Sequence, residues 1–99
     1  MDEARLHQDQ TRAWKAQQLI DNDLLQEALS AIETEVIGQW EQCPARDKDG
    51  KEALWQLFKT AKKFRSLLNG YVQSGKLATE MLAQYERESA LKRMIKRVV

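Results

Sequence analysis

Apolar residues recur along this chain at helical spacing, and nowhere alternate over a run as they would in a half-buried strand. In the first stretch, Asp2 to about Gln18, they are sparse. Leu6, Ala13 and Ile20 share a stripe at heptad spacing with Gln10 and Gln17 interleaved. This predicts a helix that folds against a partner, or a frayed arm. Asp21-Asn22-Asp23 then marks a helix start, with capping side chains and negative charge directly before an apolar run. With Asp23 as N-cap, Gln26 stands where a capping box places it. Leu25, Leu29, Ile32, Val36 and Trp40 follow three or four residues apart, and Leu24, Ala28 and Ile37 widen the stripe.

Pro44 ends that helix, because the residue before a proline is driven out of helical angles. Ala45 to Gly50 is a polar turn. The next helix carries Leu54, Phe58, Ala61, Leu68 and Val72 on one face, shared with Leu57, Phe64 and Tyr71. It is expected to stop near Ser74-Gly75, where glycine suits a left-handed cap, or to end or bend a turn earlier at Asn69-Gly70, and to restart at Lys76. Leu77, Ala78, Met81, Leu82 and Tyr85 then form one stripe. Leu91, Met94, Ile95 and Val98 form another, roughly 120° further around the helix at 100° per residue. The predicted fold is all-α. It is an antiparallel helical hairpin with an N-terminal helix and a C-terminal basic amphipathic helix, a three- to four-helix bundle that associates with itself. Residues 1–20 form an arm, and residues 21–99 a single domain.

Charge changes this picture by its distribution. Met1 to Cys43 holds three basic and nine acidic residues, a net of −6, and Pro44 to Val99 holds thirteen and six, a net of +7. The acidic helix would lie beside the basic one. Exposed pairs contribute at most about 1 kcal/mol each, against roughly 1.5 to 3 for a buried large apolar side chain, so charge selects the pairing more than it stabilises it. Ninety-nine residues with four glycines and one proline fit one small helical domain. The acidic N-terminal residues lack the apolar core of a signal peptide, and no run approaches a membrane span. A single cysteine, Cys43, fits a reducing compartment and acts as an apolar filler.

Chemistry finds no foothold in the pattern. His7 is the only histidine and lies in a polar segment, so it is expected to be a solvated residue. Asp47-Lys48-Asp49-Gly50 has EF-hand character, but the register puts Ala45 at the first ligand position and Gln56 at the bidentate glutamate, which rejects calcium. No phosphate loop, zinc cluster or catalytic signature is present, so no catalytic residue, metal or cofactor is assigned, and an enzyme is not expected. The residues left without a place in a monomer core are Trp14, Trp55 and the last stripe. Trp55, Leu91, Lys92, Arg93, Ile95, Lys96 and Arg97 are therefore the candidate interaction residues.

Asn22-Asp23-Leu24-Leu25, Glu33-Thr34-Glu35-Val36-Ile37 with Trp40, Pro44-Ala45-Arg46-Asp47, Lys51-Glu52-Ala53-Leu54-Trp55 and Gly75-Lys76-Leu77-Ala78 carry a resemblance. Over residues 21–78 the chain resembles small uncharacterised helical proteins of tailed bacteriophages. The resemblance implies a role in particle assembly or in takeover of the host, in the host cytoplasm or the virion, with no catalytic residue. The expected activity is protein–protein contact, with itself and with another phage or host protein. The alternatives are a nucleic-acid-binding packaging component, whose contacts would be the basic clusters, and a small inhibitor of a host or defence protein.

Overall fold

The structure is a computed structural model that describes residues 2–98, the last through its backbone alone; Val99 and the Val98 side chain lie outside the described residues. It contains three helices: α1 (Glu3–Ile20), α2 (Asp23–Gln42) and α3 (Lys48–Val98). At 1.5 Å per residue the 51 residues of α3 span about 77 Å, which accounts for a molecule of 79 × 27 × 16 Å. The radius of gyration is 22.1 Å, against about 13 Å for a compact domain of this size. The chain is all-α and very elongated.

Both shorter helices lie along α3. Near the start of α3, Lys51 Nζ reaches the Trp40 carbonyl at 3.0 Å; further on, Arg65 meets Gln26, Ser30 and Glu33 of α2. Beyond that, Arg12 of α1 sits over the Tyr71 ring, Gln10 bonds Thr79, and Leu6 lies beside Ala78 and Met81. Positions on α3 rise as those on α2 and then α1 fall. The two helices therefore follow one another along the spine and meet each other only around the turn between them, where Gln26 Nε2 donates to the Ile20 carbonyl.

Local chemistry sets each break. Asp2 caps α1 by accepting from Ala4 N at 3.0 Å. Asn22, not Asp23, is the N-cap of α2. It is extended at φ −79°, ψ 110°, and its side chain accepts from Leu25 N at 3.0 Å. Gln26 is thereby released from the expected capping box and ties the two helices together. Cys43, extended before Pro44, ends α2. Asp47 caps α3 by accepting from Gly50 N at 2.9 Å, which gives the acidic turn its structural role. The last turn of α2 has no basic residue of its own; Lys51 supplies the cation at its C-terminal carbonyls and also lies 4.3 Å from the Trp40 ring centroid.

The inward positions repeat every three then four residues. On α1 they are Leu6, Asp9, Ala13, Ala16 and Ile20; on α2 Gln26, Leu29, Glu33 and Val36, with Cys43 a full heptad further on past the exposed Trp40; on α3 Leu54, Phe58, Ala61, Arg65, Leu68, Val72 and Gly75. This 3.5-residue average is the seam of helices that wrap one another. Two expectations change here. α3 runs through Ser74-Gly75 without a stop, and no glycine has positive φ. Gly75 serves instead as a place of close approach. A Cβ there would collide with Ala13 Cβ and lie 3.3 Å from the Asp9 carbonyl oxygen. Beside it, Gln10 Nε2 donates to Thr79 Oγ1 at 2.9 Å, and that hydroxyl donates to the Gly75 carbonyl at 3.0 Å. The second change is that Leu57, Phe64 and Tyr71, expected to share the core face, are left exposed.

Opposite charge meets at one point. Arg65 Nε pairs with Glu33 Oε1 at 2.9 Å, the only ion pair among the described residues, while its two terminal nitrogens donate to Gln26 and Ser30. Lys59 and Lys62 lie over the Trp55 and Phe58 rings at 5.9 and 4.9 Å instead of facing acids.

Two stability measurements follow. In urea unfolding, Gly70→Ala, where an added Cβ meets nothing within 4 Å, is expected to stabilise by about 0.5 to 1 kcal/mol; Gly75→Ala should be destabilising, because separating α1 from α3 outweighs the same helix gain. Arg65→Ala should cost about 1.5 to 3 kcal/mol, and Arg65→Lys should recover only part of it, because an ammonium cannot match the guanidinium's planar fork.

Candidate contact surfaces

Trp55 lies one residue past Leu54, on the shoulder of the seam. Its ring stacks on Phe58 at 6.0 Å with a 22° interplanar angle. Val36, Ile37, Trp40, Leu54, Trp55 and Phe58 together line a shallow depression, all six of them apolar. Three of these side chains come from α2 and three from the second and third turns of α3, so the pairing of the two helices creates the depression. Lys51 and Lys59 stand at its edges, over the two tryptophans.

The second surface is the far part of α3. Every residue from Glu86 to Arg97 is exposed. The α1 residue Leu6 is level with Ala78 and Met81, and among the described residues no helix accompanies α3 beyond about Tyr85. Leu91, Met94 and Ile95 are 55–63% exposed. At 100° per residue they cover one side of the helix, and Lys92, Arg93, Lys96 and Arg97 cover the opposite side. None of these four bases pairs with an acid among the described residues. The apolar side is also turned roughly 120° from Tyr85, so a longer α1 continuing on its line would still miss it.

The sequence-predicted contact residues therefore form two sites. Trp55 and Leu91 are 36 residues apart on one helix, about 54 Å. Trp14 belongs to neither: it is exposed on α1, beside a depression walled by Ala13, Val72, Gly75 and Lys76. His7 is exposed, with Nδ1 3.2 Å from Gln10 Oε1. Cys43 is half-buried in the turn before α3, its Sγ 3.9 Å from the Asp47 carbonyl oxygen. Among the described residues no three His, Cys, Asp or Glu side chains converge as a metal would require, and no helix is long and apolar enough to cross a membrane. Comparison with known protein families, with curated proteins and with solved structures finds no match to the chain.

Because the last turns of α3 touch no other helix, Leu91→Asp and Ile95→Asp are expected to leave the urea midpoint within about 0.5 kcal/mol of wild type and the circular dichroism unchanged.

Proposed function

We propose that this is a non-enzymatic protein of tailed bacteriophages that works by protein contact, as a homo-oligomer, in particle assembly. In this reading α2 and the first half of α3 are an antiparallel hairpin, and α1 completes a bundle whose C-terminal basic amphipathic turns carry the contact. The observation that supports it most is the state of residues 86–97: three exposed turns of continuous helix, apolar on one side and basic on the other. An amphipathic helix held clear of its own fold suits an apolar groove on a partner, with the bases left at the rim to steer encounter and set orientation. The phage setting rests on the resemblance carried by residues 21–78. A tagged chain expressed in phage-infected cells should retain a particle protein, and Leu91→Asp or Ile95→Asp should lose it while remaining folded. Equal retention by these variants and wild type would remove the last turns of α3 from the contact.

A second reading is favoured by one observation, the four unpaired bases Lys92, Arg93, Lys96 and Arg97 on a free helix. As a packaging component, the protein would bind DNA or RNA with an affinity that falls steeply with salt. Replacing the four bases with glutamine should abolish that binding, and an absence of binding by wild type at low salt rejects the reading.

A further inference from the structure

α3 carries a second seam next to the one that α2 and α1 occupy. Leu57, Thr60, Phe64, Leu67 and Tyr71 repeat at intervals of three and four residues, one position before the inward series. The four large members are 37–54% exposed. Further along, the same seam continues into Ala78 and Met81, and there it is covered: Leu6 of α1 lies on it and Ala78 is 1% exposed. One half of the seam thus already accepts a helix, Tyr71 at the boundary carries Arg12 of α1 over its ring, and the stretch from Leu57 to Leu67 is bare.

We infer that the bare half is a homodimer interface whose occupant is the same face of a second copy. This rests on the reading that the chain works by protein contact as a homo-oligomer, and it uses a surface other than the last turns of α3. Area is the first argument. The chain exposes 8081 Å², whereas a compact monomer of 11.5 kDa exposes about 5,800 Å². The excess, about 2,300 Å², is well above the roughly 800 Å² that each partner contributes to a standard interface.

Charge is the second. Arg65 bonds Gln26, Ser30 and Glu33, which places those groups on one side of the α2–α3 contact and leaves Ile32 of α2 on the other, beside the second seam. Lys59, Lys62 and Arg65 all point more than about 110° away from the seam, Lys63 and Glu35 fall at its rim, and Arg12 of α1 lies over Tyr71 at its far end. A face without a central charge of either sign meets its own copy about a two-fold axis without burying an ion. The Trp55 side, by contrast, is edged with lysines that a second copy would oppose with like charge.

The test is mass by light scattering on the full chain at high micromolar concentration, at low salt and at about 1 M salt, where surface charge is screened. Twice 11.5 kDa is expected at both. Phe64→Glu should weaken the dimer about a hundredfold or more with helical circular dichroism retained. Should Phe64→Glu lose helicity, Leu67→Glu, further from α2, decides in its place. Ser66→Glu, on the opposite side of α3, should remain dimeric. A monomeric wild type, a dimer that dissolves at high salt, or a dimer indifferent to both seam variants overturns the inference. If the dimer instead dissolves in Leu91→Asp, self-contact belongs to the last turns of α3: this interface is then wrong and the protein-contact reading stands.

Discussion

Everything in this fold leans on the seam along one side of α3. Neither α1 nor α2 has a second apolar neighbour of its own, and they scarcely touch each other beyond the turn at Asp21-Asn22. Short amphipathic helices in water draw most of their stability from packing, so both depend on lying against the spine. The seam is narrow. Its buried members include the small or medium residues Ala16, Val36 and Ala61, and no large side chain among the described residues is fully buried. What it lacks in bulk it supplies in closeness: Gly75 lets α1 approach until Ala13 touches the α3 backbone region, and Gln10 and Thr79 add a polar clasp there.

The same narrowness explains the charge pattern and the bare surfaces together. A spine contacted along one side can shield only that side, so most charges stay solvated; of the basic residues of α3 it is Arg65 that enters the seam to meet Glu33, with every nitrogen of its fork given an acceptor on α2. Breaking such a half-buried ion leaves its partner unsatisfied, whereas a lysine lying over an exposed ring contributes only about 0.5 to 1 kcal/mol. The split into acidic and basic halves therefore acts mainly on register and direction. It also leaves one flank of α3 almost free of charge, while the other flank and the last turns are basic. These are different kinds of surface, suited to different kinds of contact.

Much of this was legible along the chain, and the exceptions have a common cause. The breaks at Asp21-Asn22 and Pro44 follow from bonding between near neighbours, so they can be read to within a residue; the choice of Asn22 over Asp23 as the cap rests on its bond to Leu25 N. The out-of-phase stripe at Leu91, Met94 and Ile95 was visible from angular steps alone, and those side chains are exposed. Gly75 was misleading because a glycine marks either a cap or a close approach, and the distinction depends on Ala13, some sixty residues earlier. Trp55 and Leu91 are alike in being apolar and unplaced along the chain, and the continuity of α3 sets them near its opposite ends.

The apolar face of α3 carries two series of the same kind. Leu54, Phe58, Ala61, Leu68 and Val72 are equivalent in type to Leu57, Phe64, Leu67 and Tyr71, and the two series differ by about 100° around the helix. Local sequence determined that the two segments of α3 on either side of Gly75 are helical and broadly apolar, because periodicity and propensity act over a few turns; that they form one helix was decided by the fold. Which part of that surface is core was decided by where α2 and α1 dock, through Arg65 with Glu33 and Gly75 with Ala13. Those contacts join residues far apart in the chain, and only their geometry in space separates a buried seam from an exposed one.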